Sequence, residues 1–436
     1  MNALSKKEIV LISLMLFSMF FGAGNLIFPP FLGQSAGDQV GLSLAGFILS
    51  AVGLPILGVA AIAKAGSFYE LAKRVHPAFA SLFPLLIYVS IGPGLAIPRA
   101  GSLAYEMGML PFLPQTAATQ PVGLALYTLV FFGLVFWFSL SPSKLVDRFG
   151  KLMTPALLIL LSLIFVKSLF GPKGGLVQAE GAYAAHPVMQ GFLDGYLTMD
   201  ALAALVFGIV VSNTLRSKGV TEPGRLSGYM MAAGTGAGIL LAVIYLMLGA
   251  IGSTHAFLGK AENGAQLLTN VMGHLFGSSG ILLLGVIFTV ACLCVSIGLV
   301  TSCSQYFSGL FPRISYRGWV GLLCIVSMLI ANMGLTLILK ISVPILGAIY
   351  PVAIVLILFA LAEPLLSPRS HLYVTAVGLV VVYGLLDLVN TMLLPRSMDF
   401  LLASLPLYSE GAGWVVPAVV GSILGFGVDL LRKRAY

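Results

Sequence analysis

Apolar residues along this chain do not alternate with polar ones; they gather in long runs separated by short polar connections. Twelve runs lie near residues 8–32, 40–63, 78–99, 121–140, 151–170, 192–213, 227–252, 279–304, 318–339, 341–362, 373–394 and 413–431. Each supplies the roughly 20 apolar positions that a helix needs to cross a bilayer. Strands of a membrane barrel would alternate and run only about 10 residues, which excludes that architecture. The pattern predicts an all-α membrane protein of about twelve transmembrane helices, organised as one domain over residues 1–436. The longer connections at 100–120, 171–190 and 253–277 have room for short surface helices, and 265–276 reads as amphipathic.

Composition sharpens this picture. Charged residues make up 9 % of the chain and hydrophobic residues 59 %, whereas a soluble domain carries about 25 % charge. A surface so poor in charge requires lipid as its solvent. The net charge of +8 raises nucleic acid as a partner, but no basic stripe interleaved with aromatics accompanies it, and none is expected. With the N-terminus inside, 17 Lys and Arg residues fall on inner segments and 6 on outer ones, which predicts both termini in the cytoplasm. Cys292, Cys294, Cys303 and Cys324 all sit in apolar runs, where they read as small packing residues.

Three runs break the rules of a membrane helix. The first holds Gly22-Ala23-Gly24-Asn25 and then Pro29-Pro30 near mid-membrane. Unwound backbone is tolerated at that depth only where it is buried in protein or lines a cavity. Its freed carbonyls and amides can hold a cation and a carboxylate; glycines that merely admit close packing are the plainer alternative. The sixth run reads Gly195-Tyr196-Leu197-Thr198-Met199-Asp200-Ala201-Leu202-Ala203 and continues to Phe207-Gly208. Asp200 in the membrane costs a few kcal/mol at least. It stands either near a cation or a substrate amine, or, with Thr198, as an N-cap of the helix that follows. The expected break in this run lies between residues 202 and 213. In the third run, Gly92-Pro93-Gly94 loosens the helix and Pro98-Arg99 ends it. Ile91 then faces the centre, and Arg99 snorkels at the outer interface or lines an outer vestibule. Irregular runs one and six are five spans apart, the spacing of an inverted repeat whose halves each open with a broken helix.

The stretch from Leu16 to Pro30, the Ile91-Gly92-Pro93 and Ile97-Pro98-Arg99 segments, and Gly195 to Ala203 together resemble motifs of the branched-chain amino acid:cation symporters. The resemblance covers essentially the whole chain. It implies a LeuT-type fold: a first repeat over 1–170, a second over 171–363, and two additional helices over 371–436. It further implies Na⁺-coupled import of leucine, isoleucine and valine across a bacterial inner membrane, with no cofactor beyond the coupling ion. On that reading the substrate meets Phe20, Phe21, Gly22, Ala23, Gly24, Asn25, Ile91, Ala203 and Phe207. The cation meets Ser18, Phe21, Asn25 and Ser296. The substrate's carboxylate faces amides at Gly24 and Asn25 and a bound Na⁺, and its ammonium faces carbonyls around Phe20 and Phe21 and the unwound turn of the sixth span. Cys294-Val295-Ser296 stands where the fold tends to use a hydroxyl pair, which keeps an H⁺-coupled carrier for another small amino acid or solute as the alternative. A polytopic enzyme is disfavoured, because the five histidines lie in or beside loops and no nucleophile–base or metal-ligand spacing is visible.

Overall fold

The computed structural model describes residues 4–113, 121–366 and 370–434. Residues 114–120 of the expected 100–120 connection, and Arg369, lie outside them. The chain runs through α1 (Lys6–Phe20), α2 (Ala23–Ala36), α3 (Val40–Ile48), α4 (Leu54–Ala65), α5 (Pro77–Val89) and α6 (Ala96–Gly108). It continues through α7 (Pro121–Ser139), α8 (Thr154–Phe170), α9 (Pro187–Tyr196), α10 (Asp200–Ser217), α11 (Pro223–Thr254) and α12 (Gly264–Phe276). The last elements are α13 (Ser278–Leu310), α14 (Tyr316–Ala331), α15 (Leu335–Leu366), α16 (Ser370–Leu388) and α17 (Val415–Arg434).

Among the described residues nine helical stretches are long and apolar enough to cross a membrane, and Tyr316–Ala331 and Val415–Leu431 are shorter apolar helices. One of the nine, Ala23–Ala65, is 43 residues long. At 1.5 Å per residue that is about 65 Å, twice the roughly 30 Å of hydrocarbon in a bilayer. It turns at Gly37, whose φ is 49°, so it holds the second half of the first span and all of the second. With α1 joined to α2, and α9 to α10, the described helices make the twelve crossings that the run pattern predicts.

Two groups of helices pack around the centre. The first pairs α1 and α2 with α11, and α4 with α10 and α11. The second pairs α6 with α13, and α7 with α13 and α14. Helix α13 touches α1 and α10 and so joins the groups, while α16 packs on α15 and α17 at the periphery. Lipid supplies no hydrophobic drive between helices, so close backbone approach through small residues has to hold them. A Cβ on Gly33 would lie 2.1 Å from the Gly249 carbonyl oxygen, and one on Gly252 would lie 1.9 Å from that of Pro30. Helices α2 and α11 therefore meet backbone to backbone.

Boundaries differ from the expected ones in two places. The third span does not stop at 99: a kink at Gly92 (φ −79°, ψ −119°) is followed by α6. Ala100, Leu103, Ala104 and Met107 continue the buried face. The ninth span ends at Ala331 rather than 339, because Gly334 takes a φ of 86° that turns the chain. Lys340, expected in an outer loop, lies inside α15. The expected amphipathic helix at 265–276 is α12, with Leu267, Leu268, Val271 and Met272 buried.

Gly252→Ala should lower the melting temperature of the purified protein, since overpacking against backbone costs about 1–3 kcal/mol. Gly228→Ala in the same helix, where a Cβ meets nothing within 4 Å, should not. Equal melting of the two variants would contradict the close α2–α11 contact.

Candidate functional site

Helix α1 ends at Phe20 and α2 begins at Ala23, with Phe21 (ψ 91°) and Gly22 (φ −125°, ψ −156°) extended between them. The break is thus shorter than the expected Gly22–Asn25 stretch, and Asn25 is already helical. The Gly22 N–H donates to Asn25 Oδ1 at 3.0 Å instead of continuing the helical ladder to Ser18. As a result the carbonyls of residues 18–21 and the N–H groups of Ala23, Gly24 and Asn25 have no hydrogen-bond partner among the described residues. Four acceptors and three donors are freed at one point inside the membrane-spanning bundle.

The companion break lies at Leu197–Met199, between α9 and α10, and not within 202–213 as expected. Met199 takes a left-handed φ of 67°. From Asp200 onward α10 is continuous, because Ala201 through Val211 is an unbroken helix-forming stretch. The freed groups of this break are met by side chains. Arg99 Nη1 donates to the Leu197 carbonyl at 3.0 Å, the Ala201 N–H donates to Tyr350 Oη at 3.3 Å, and the Asp200 N–H donates to Thr198 Oγ1 at 3.4 Å. Thr198 therefore supplies the capping oxygen. The Asp200 side chain does not cap: its Oδ2 accepts from Asn25 Nδ2 at 2.6 Å and from Tyr245 Oη at 3.0 Å. Asn25 Nδ2 also donates to Tyr245 Oη, at 2.5 Å. One carboxylate thereby links α2, α10 and α11.

The two breaks enclose a cavity with the kink of the third span, α6 and α13 around it. It is lined by Phe20, Gly22, Ala23, Gly24 and Asn25 from the first span, and by Thr198, Met199, Asp200 and Ala203 from the sixth. Ile91, Ala96, Arg99 and Ala100 from the third span and Val295 and Leu299 from α13 complete the wall. Its volume is about 20 Å³, room for about one water. On the side where Lys218 pairs with Glu8 at 3.1 Å, a wider cavity of about 240 Å³ is lined by residues including Ser67, Tyr88, Gly208, Asn213, Arg216 and Tyr306. Phe207, fully buried, meets Phe20 edge to face with ring centroids 5.4 Å apart. Tyr88 stacks on Tyr306 at 3.8 Å, and its hydroxyl lies 3.5 Å from the Val206 carbonyl.

Most expected substrate contacts therefore converge. Phe21 and Phe207 do not line the cavity: Phe21 stacks on Phe17 at 5.0 Å, and Phe207 backs Phe20. Ser18 and Ser296 are buried with hydroxyls lacking a hydrogen-bond partner. Val295 and Leu299, rather than Ser296, are the α13 residues at the cavity. Arg99 is the largest correction. It does not snorkel; it is 5 % exposed, and its Nη2 would sit 3.1 Å from a Cβ on Gly24. Tyr245 and Tyr350 went unnoticed in the sequence. Their signal was a lone hydroxyl in the middle of an otherwise apolar run. Among the described residues no cluster of three or more His, Cys, Asp or Glu could hold a metal.

Comparison with known proteins agrees with this architecture. The sequence profile described as branched-chain amino acid transport protein matches residues 5–432. The chain is 45 % identical over 433 residues to the branched-chain amino acid permease BraB of Bacillus subtilis, covering 98 % of this chain and 97 % of that one. It is 38 % identical to the branched-chain amino acid transport system 2 carrier protein of Pseudomonas aeruginosa, covering 100 % and 99 %. Among solved structures, Mhp1, a nucleobase-cation-symport-1 family transporter in a closed conformation with bromovinylhydantoin bound, superposes with a TM-score of 0.62 at 15 % identity, covering 98 % of this chain and 93 % of that one. MhsT in complex with L-phenylalanine superposes at 0.59 with 17 % identity, covering 88 % and 98 %. These two likenesses concern the fold, which is the LeuT type. A membrane bundle with two broken helices at one cavity, and a profile and relatives matched nearly end to end, place the chain in the family of branched-chain amino acid transport proteins, as a transporter and not an enzyme.

Proposed function

We propose that the protein imports leucine, isoleucine and valine by Na⁺ symport with alternating access, in a bacterial inner membrane with both termini in the cytoplasm. One observation carries the reading: the freed backbone of the first broken helix, the break in the sixth span and an aliphatic wall share a single cavity. Ile91, Ala203, Val295 and Leu299 offer an apolar surface without a polar group for a side-chain hydroxyl or amide. Aliphatic pockets separate one methylene by only about 1–3 kcal/mol, so the three branched side chains share the site. The names of the relatives support the substrate class.

Sodium needs several hard oxygens, and neutral ones suffice. Ser18 presents two: a buried hydroxyl without a partner, and a carbonyl whose regular donor, the Gly22 N–H, is taken by Asn25. The Phe21 carbonyl is freed at the same break, and Ser296 is a further buried oxygen on α13. Asn25 Oδ1 already accepts one bond, so its part is to shape the break as well as to offer a lone pair. Protons would require Asp200 to be released by its two donors, Asn25 and Tyr245. The 240 Å³ cavity on the Glu8–Lys218 side then serves as the inner vestibule, and Phe20, Phe207 and Tyr88 close it from the substrate.

In proteoliposomes an inward Na⁺ gradient should drive accumulation of labelled leucine, with competition by isoleucine and valine; accumulation driven equally by a proton gradient without Na⁺ would reject sodium coupling. Ser18→Ala should raise the Na⁺ concentration for half-maximal uptake about tenfold, which is about 1.4 kcal/mol, while leaving uptake at saturating Na⁺ largely intact. Unchanged Na⁺ activation in that variant would remove Ser18 from the cation site.

A further inference from the structure

Arg99 and Asp200 are 5 % and 2 % exposed and line the same small cavity. Opposite charges buried together normally close into an ion pair, since desolvating either alone is costly. These two do not. The Arg99 guanidinium bonds the Leu197 carbonyl and lies over Gly24, whereas Asp200 Oδ2 is held by Asn25 and Tyr245. Each charge rests on a half-helix end of the opposite sign: Arg99 at the carboxyl end of α9, Asp200 in the first turn of α10. The site is thus a fixed dipole with a gap between its poles.

We propose that Arg99 and Asp200 form a clamp for the two charges of a zwitterion, Arg99 taking the α-carboxylate and Asp200 the α-ammonium. The clamp deepens the transport reading and rests on it for the substrate's side chain. It replaces the ammonium contacts expected at backbone carbonyls around Phe20, Phe21 and the unwound turn of the sixth span, and the Na⁺ expected beside the carboxylate. The carboxylate lies between the guanidinium and the free N–H groups of Ala23 and Gly24, where a planar fork and a helix start both favour an anion. A fixed guanidinium there makes a cation beside the carboxylate repulsive, so the coupling ion sits away from it, at the Ser18 end of the break. A Cβ at position 24 would lie 3.1 Å from Arg99 Nη2 and 3.2 Å from the Leu197 carbonyl, so a side chain there would press on the guanidinium and on the end of α9.

The test measures displacement of labelled leucine from the purified full chain by leucinamide, which lacks the carboxylate, and by 4-methylpentanoate, which lacks the ammonium. Wild type should bind each on the order of 100-fold more weakly than leucine, the scale of a buried charged partner left alone. Arg99→Gln should bring the leucine-to-leucinamide ratio close to one. Asp200→Asn should do the same for leucine against 4-methylpentanoate. A residue that only supports the fold would weaken all ligands together and leave both ratios as in wild type, which would overturn the clamp. Should the variants fail to fold, the wild-type panel still decides: leucinamide binding as tightly as leucine excludes Arg99 as the carboxylate receptor. If leucine does not bind but another zwitterionic amino acid does with the same dependence on both charges, the substrate assignment fails and the clamp stands. If no zwitterion raises the melting temperature, both fall.

Discussion

Backbone amides and carbonyls cannot go unpaired in hydrocarbon, and a helix broken there must find partners within the protein. The rest of this structure follows from how two breaks meet that demand. At Leu197–Met199 the partners are side chains from elsewhere: Arg99, Tyr350 and Thr198 each take one freed group. At Phe21–Gly22 only Asn25 answers, and it answers for one N–H. The first break is left with carbonyls and amides to offer to a ligand, and the second is already committed.

The same asymmetry explains the placing of charge. A guanidinium or a carboxylate deep in a membrane protein is tolerated when fixed dipoles surround it. The carboxyl end of α9 and the start of α10 provide both signs three residues apart in sequence. Asn25 and Tyr245 then tie Asp200 to α2 and α11, and Gly33 and Gly252 lock α2 to α11 without intervening side chains. These contacts tie α2, α10 and α11 together, and α6 and α13 form the opposing wall of the cavity. With only about 20 Å³ open between them, the cavity has room for about one water, and any larger occupant needs the two walls to part.

The sequence made the bundle legible because hydrocarbon thickness alone sets the length of each apolar run. It showed the weak points too, since Gly22, Gly24, Asn25 and Asp200 are conspicuous in such surroundings. Position within a span was harder to read. Arg99 followed a proline near the end of a run and looked interfacial, but the kink at Gly92 carries the third span deeper and extends it to Gly108. The break in the sixth span is expected between residues 202 and 213. It fell at Leu197-Thr198-Met199, where nothing but a left-handed methionine marks it. Tyr245 and Tyr350 were invisible because a tyrosine in an apolar run reads as apolar until its hydroxyl finds a partner. Tertiary contacts between distant spans decide such matters, and no local pattern records them.

Cys303 stands in the contact between the third and eighth spans. A Cβ on Gly92 would lie 2.8 Å from its sulfur, which is itself 3.6 Å from the Tyr88 carbonyl. The four cysteines, Cys292, Cys294, Cys303 and Cys324, are all buried and unpaired by disulfide. Burial shields all four from polar thiol reagents while the helices stay packed. Labelling of Cys303 then becomes a clock for the parting of the third and eighth spans.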